Sequence, residues 1–195
     1  KVIDMGCSEM KFFRYLKTIP GIEEIVLMDK DTQVLKDYKR TVDPLNADSL
    51  LLRSTPLNVK VVSGNACIYH PVMEGAQAVT LIELVEHMHE DCHPGLVQCI
   101  FRGIKPQVVI ITTPNAEFNQ YIPGMLPGTM RHWDHKFEWT TTKFQIWCNS
   151  IVNDIRNYSV QFVGIGLGPN EIYCSQMAIF RRSKDMEEDQ TISHC

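Results

Sequence analysis

Apolar residues fall along this chain in two alternating rhythms. Short β-rich runs over residues 1–4, 25–28, 59–62, 78–82 and 108–112 are bounded by polar or turn residues, the pattern of buried strands. Between them the spacing turns helical. Residues 9–17 place Phe12, Phe13 and Leu16 on one side, and Pro20–Gly21 ends that stretch. Residues 31–40 form a second helix with Asp31 or Thr32 as its cap, and a third runs from 93 to about 103. After Pro114 the rhythm breaks. Residues 116–139 are rich in Pro, Gly, His and aromatics and predict a long ordered loop with a turn of helix. A helix over 141–153 follows, then strands over 158–163 and 176–180 with no clear helix between them. Strands alternating with helices predict a mostly parallel sheet covered on both faces, and the last pair a closing antiparallel hairpin. Seven strands result. Residues 1–182 make one domain, and 183–195 a polar, disordered tail.

Composition narrows the function. The chain has 195 residues, 44% of them hydrophobic, enough to bury the core of one domain. No apolar run approaches the roughly 20 residues that cross a bilayer. The opening KVIDMGCSE reads as a strand already under way, which predicts an excised domain lacking its natural N-terminus. The net charge is −4, whereas proteins that grip long nucleic acids through phosphates are usually basic. The ligand is therefore small, or nucleic acid is recognised locally. The seven cysteines include no CxxC pair, which argues against a disulfide framework or a four-cysteine zinc site. They predict small core residues in a reducing compartment.

The ends of the strands carry the chemistry. The first runs into Asp4-Met5-Gly6-Cys7-Ser8, where the glycine permits a tight turn against a ligand. The second ends at Asp29, an acid placed to accept hydrogen bonds from ribose hydroxyls. A single glycine in place of GxGxxG makes a pyrophosphate cradle doubtful and favours a nucleoside cofactor without phosphates, S-adenosylmethionine. Asn65, after the third strand, would flank the adenine. Asp4, Gly6, Ser8, Asp29 and Asn65 form the expected cofactor set, on a Rossmann-like, seven-stranded methyltransferase fold.

The fourth strand ends in LIELVEHM. If a turn or short helix follows, Glu83, Glu86 and His87 share one face at i, i+3 and i+4. Converging carboxylates repel unless a cation lies between them. The plain alternative is a solvated first turn favoured by the helix dipole. The loop returns to the same edge with MRHWDHKFEW, offering His132, Asp134 and His135. Oxygen and nitrogen ligands together suit Mg²⁺, Mn²⁺ or Co²⁺. His89, Cys92 and His93 lack a matching second half of a zinc site and are expected at the surface.

ELVEHM, TTPNAEFN (112–119) and RHWDHKFEWT (131–140) together resemble the Hua enhancer-type small-RNA 2′-O-methyltransferases over nearly the whole chain. The resemblance implies methylation of the 2′-hydroxyl of an RNA's 3′-terminal nucleotide from S-adenosylmethionine. It implies a divalent ion on Glu83, Glu86, His87 and one loop histidine, placed at His132 with His135 the runner-up. His87, His132 and His135 are the expected catalytic side chains, and the loop histidine left off the metal is placed to take the hydroxyl's proton. Arg131 is a phosphate contact or a packing residue, with Lys136 and Lys143 as further local cations. No double-stranded-RNA-binding module is visible, so the chain resembles the animal type, which modifies single-stranded RNAs presented by PIWI-type Argonaute proteins in the cytoplasm. Neither membrane nor DNA is an expected partner. The other readings are a metal-independent methyltransferase acting on a small molecule or protein, a metallohydrolase, and an inactive RNA-binding module.

Overall fold

Apolar strands buried on both faces need helices above and below, and the chain supplies them in alternation. The computed structural model describes residues 1–183 apart from 47, 49–52, 54 and 127. The strands are β1 (Val2–Met5), β2 (Glu24–Asp29), β3 (Asn58–Ser63), β4 (Ala78–Ile82), β5 (Val108–Pro114), β6 (Tyr158–Leu167) and β7 (Tyr173–Arg182). They form one sheet in the order β3-β2-β1-β4-β5-β7-β6, with the first five parallel and β7 antiparallel to both neighbours. The predicted sheet and its closing hairpin are both present. The strand order reverses between β1 and β4, so the crevice at their carboxyl ends is where such sheets bind ligands.

Strand periodicity sends alternate residues to opposite faces. Ile3, Met5, Val26 and Met28 join Val79, Leu81, Val109, Ile111 and Phe180 in one core, under α3 (His93–Val97) and α4 (Thr141–Asp154). Val2, Ile25 and Leu27 face the other way, against α1 (Phe13–Leu16) and Leu35 of α2 (Thr32–Tyr38). Cys7, Cys99 and Cys148 are buried, and the cysteines among the described residues are free thiols.

Two elements depart from the pattern. The helix predicted over 9–17 contracts to Phe13–Leu16, because Ser8 (φ 44) and Met10 (φ 58) adopt left-handed backbone and coil the chain after Gly6. The third helix begins at His93 as expected, but widens into a π-helical turn over Gln98–Ile104 that ends at left-handed Lys105. The predicted tail lies outside the described residues apart from Ser183, whose N–H donates to the Asn157 carbonyl. Among the described residues no helix is long and apolar enough to cross a membrane.

The cap of α2 is Asp31, whose carboxylate accepts from the N–H groups of Gln33 and Val34 at 2.8 and 3.1 Å. Replacing it, Asp31→Ala, leaves those donors to water and is expected to cost about 1 kcal/mol, read as a lower urea midpoint at unchanged m-value.

Candidate active site

The crevice is built where β1 and β4 end side by side. Gly6 turns with φ 74, and its N–H donates to the Met28 carbonyl at 2.8 Å, folding the chain back onto β2. A side chain at Gly6 would collide with Leu84, since an added Cβ would lie 2.5 Å from Leu84 Cδ1. The turns after β1 and β4 therefore touch, and a glycine, free to take this φ and lacking a side chain, suits the contact. Ser8 N–H donates to Asp29 Oδ2 and Asp31 N–H to Oδ1, both at 2.9 Å. An ionised carboxylate keeps further lone pairs for hydroxyl donors. Asn65 is exposed just beyond Gly64, whose N–H donates to the Asp29 carbonyl. Asp4 is buried beneath, accepting from the Thr80 hydroxyl at 2.7 Å. Burial pushes its carboxyl up to about 6, with Thr80 opposing and the charge of Asp29 adding to the rise. The structure gathers Asp4, Gly6, Ser8 and Asp29, with Asn65 at the rim. This donor and acceptor set fits a nucleoside.

The acidic stretch after β4 is arranged by the end of β5. Glu83 N–H donates to both the carbonyl (3.2 Å) and the hydroxyl (3.0 Å) of Thr112. To do so Glu83 takes a left-handed backbone, φ 51. One 3₁₀ turn, Val85–His87, follows, where the sequence suggested a turn or short helix. Glu86 is fully buried. Its Oε2 accepts from the Thr113 hydroxyl at 3.0 Å, and its Oε1 has no hydrogen-bond partner. Burial, and then the neighbouring Glu83, push the Glu86 carboxyl up to about 8. Burial also raises Glu83, eased by Thr112 and Arg131. Two carboxyls strained toward their neutral forms, one with an orphaned oxygen, are what a bound cation would relieve.

The loop delivers the imidazoles. Lys136 N–H donates to the Glu86 carbonyl at 2.7 Å, clamping the loop onto the turn. One ring nitrogen each of His87, His132 and His135 lies within 4.8 Å of the others, close enough to hold a metal ion together. Glu83 and Glu86 stand outside that set, but Glu83 acts electrostatically on both Glu86 and His135. Hydrogen bonds orient the rings. His87 Nδ1 meets Asp134 Oδ2 at 3.1 Å, and His135 Nδ1 meets Glu138 Oε1 at 2.6 Å. Carboxylates only accept, so both rings carry a proton on Nδ1 and in their neutral form present an Nε2 lone pair. His132 is the reverse. Its Nδ1 accepts from Asp134 N–H at 3.2 Å, which leaves Nε2 as an N–H donor on an exposed ring.

Three side chains here escaped the sequence reading. Glu138 also accepts from Asn119 and from Arg131 N–H; burial pushes its carboxyl up, but these bonds outweigh it and hold it below the usual range. Its sequence signals were its place in RHWDHKFEWT and the His-x-x-Glu spacing from His135. Thr113 was read only as part of the TTPNAEFN stretch at the end of the fifth strand, with no role of its own. His93 was expected at the surface beside exposed His89 and Cys92. It is instead buried against the rings of Phe137, Trp139 and Trp147, and it hydrogen-bonds the Val85 main chain while its Nε2 has no partner. Arg131 reaches Asn119 Oδ1 at 2.6 Å, the Asn115 carbonyl and Cys174 Sγ, over the Phe118 ring. That is the packing alternative. Lys143 is exposed on the first turn of α4.

No family model matches the chain. A small RNA 2′-O-methyltransferase of Drosophila melanogaster is 38% identical over 201 residues, covering 99% of this chain and 51% of that protein. The methyltransferase domain of bacterial CtHen1-C is 30% identical with a TM-score of 0.77, over 94% of this chain and 89% of that one. The chain belongs to the Hen1 family of small-RNA 2′-O-methyltransferases. A crystal structure of the small RNA methyltransferase HEN1 superposes with a TM-score of 0.80 at 28% identity, over 93% of this chain and 23% of that one. The chain spans about half the length of the curated relatives it matches.

Asp4 offers a test of the crevice's electrostatics. Its folded carboxyl titrates near 6 against an ordinary 3.8, so the native chain holds the proton more tightly and Asp4 favours folding at low pH. That contribution is lost as pH rises through this window. The variant Asp4→Asn is expected to exceed the parent's stability at pH 7.5 by up to about 3 kcal/mol, with the advantage gone near pH 4. Urea titrations of the ligand-free protein at both pH values measure it.

Proposed function

We propose that this chain, as a catalytic domain over residues 1–182, transfers a methyl group from S-adenosylmethionine to the 2′-hydroxyl of the 3′-terminal nucleotide of a small single-stranded RNA. A divalent cation, Mg²⁺, Mn²⁺ or Co²⁺, is held by Glu83, Glu86, His87 and a loop histidine. The observation that carries this reading is the convergence of three imidazoles, one of them next in the chain to a fully buried carboxyl with an orphaned oxygen. Family membership supplies the substrate class. Presentation of the RNA by a PIWI-type Argonaute rests on the sequence resemblance.

The hydrogen bonds support His135 as the loop ligand, in place of the first-choice His132. His135 is buried, fixed by Glu138 and presents a lone pair; His132 is exposed and presents an N–H. Metal-binding histidines are usually oriented in this way by a carboxylate on the far nitrogen. His132 can donate to a substrate oxygen, but takes a proton only after changing tautomer. Asp134 fixes His87 as Glu138 fixes His135. Gly6 and Asp29 hold the nucleoside end of the cofactor, and S-adenosylmethionine supplies the electrophilic methyl. A bound cation supplies Lewis acidity, lowering the pKa of a ribose hydroxyl that is otherwise far too high for attack at neutral pH. The residues of the β4 turn and the loop keep that hydroxyl in place, and positioning of this kind supplies much of a transfer reaction's rate.

Labelled S-adenosylmethionine and a short single-stranded RNA test the reading. Methylation is expected to stop with EDTA and to be absent from an RNA ending in a 2′-deoxynucleotide. Indifference to both would leave a metal-independent enzyme with another acceptor. His135→Ala is expected to lower Mn²⁺ affinity more than about 100-fold, since orienting residues alone cost about 10–100-fold. His132→Ala is expected to change it less than about 10-fold, as suits a side chain off the metal. Equal losses in the two variants, measured by Mn²⁺ titration, would reverse the assignment.

A further inference from the structure

Two of the chain's tryptophans are used in packing. Trp139 is buried, and Trp147 packs against the same core. The third is not. Trp133 is 87% exposed, at the apex of the turn closed by His135 N–H donating to the His132 carbonyl. Isolated exposed apolar side chains are ordinary, so exposure alone assigns nothing. Position does. The indole lies 5.4 Å, centroid to centroid, from the His132 ring, and that ring lies 5.8 Å from His87 and 5.5 Å from His135. One flat apolar surface therefore stands against the imidazole cluster, beside its exposed member His132, held there by the segment that carries two of the three rings.

The charges at this edge argue against a grip through phosphates. Lys136 Nζ is paired with Asp134 at 2.9 Å, and the Arg131 guanidinium is engaged with Asn119, Asn115 and Cys174. Asp134 and Glu138 bond the His87 and His135 rings, Glu83 acts electrostatically on His135, and the whole chain is acidic. Phosphates would meet cations already partnered and several carboxyls. A nucleobase carries no charge, and every base has a π-face that stacks on an aromatic ring whatever its sequence. The base of the reacting nucleotide is joined directly to its ribose. With that ribose at the cluster, the base cannot lie far from it.

We propose that Trp133 is a stacking platform for the base of the RNA's 3′-terminal nucleotide, giving a sequence-tolerant hold on the end. The proposal rests on the function proposed above, and its test separates the two. Stacking reduces salt dependence to the few phosphate contacts that remain, so the KM for RNA is expected to change little with added salt, unlike that of proteins that neutralise many phosphates.

The experiment crosses protein and RNA variants. Trp133→Ala is expected to raise the KM for a short single-stranded RNA about 5- to 150-fold with a much smaller effect on kcat, the effect of one lost stack. Mn²⁺ and S-adenosylmethionine affinities should be unchanged, and Trp133→Phe should recover most of the loss. An RNA whose terminal ribose keeps both hydroxyls but lacks its base should raise the parent's KM by a similar factor. On that RNA, Trp133→Ala should add little. If the two losses instead multiply, or if Trp133→Ala leaves KM unchanged, the platform is refuted. A steady KM would also be the outcome if the exposed indole served a protein partner. Binding is read separately from turnover by RNA quenching of tryptophan emission, expected in the parent and lost in Trp133→Phe. Quenching without methylation would overturn the proposed activity while supporting the platform, and methylation without quenching the reverse.

Discussion

The buried carboxyl of Glu86 is the constraint around which the site is arranged. A polar group taken wholly out of water and left with an unpaired oxygen destabilises a fold by about 1–3 kcal/mol. The fold holds it in place from three directions. The Thr113 hydroxyl caps one oxygen, the Lys136 N–H holds the main-chain carbonyl, and Val85 beside it is buried in the core. None of these relieves the second oxygen. The left-handed backbone at Glu83 adds a further local cost that the paired Thr112 contacts offset. A protein selected for stability alone would place an apolar residue at position 86. Strain tolerated at the crevice of an open sheet, where ligands bind, is the mark of a site whose best state includes something that meets that oxygen.

From Glu86 outward the site alternates imidazole and carboxyl. His87 is oriented by Asp134 and His135 by Glu138, and Glu138 is itself held by Asn119 and Arg131. The outer members tie the loop to the segment after β5, so the geometry of the rings depends on contacts well behind them. His93 acts from the opposite side. It joins the Val85 main chain to Phe137 and Trp139, so the turn after β4 and the loop after β5 pack on one buried ring. Moving either half would disturb the other.

What could be read in advance follows the range of the interactions. Strands and caps are local, and the apolar runs and Asp31 announced them. Placement of the acids at the carboxyl edge also followed from local rhythm, since it needed only the end of β4. The failures are non-local or conformational. The helix over 9–17 lost its first turn to left-handed Ser8 and Met10, residues with no compositional sign of it. His93 looked like a surface residue because its partners, Phe137, Trp139 and Trp147, lie more than forty positions away. The spacing of His132 and His135 could not rank them. Their hydrogen bonds distinguish them, because they differ in which ring nitrogen is left with a lone pair.

The acidity of the chain then has a physical place. A protein that tracks a nucleic acid along its length needs many free cations, and its affinity falls steeply with salt. One that acts only on an end needs a different balance. Here the loop cations serve the loop: Arg131 braces it, and Lys136 neutralises the carboxylate that orients His87. Making them available for phosphates would loosen the rings they support. Orienting the rings and gripping a substrate would therefore be competing demands on one short segment. The proposed stacking surface would satisfy both, because stacking asks nothing of the electrostatics that keep the imidazoles aligned.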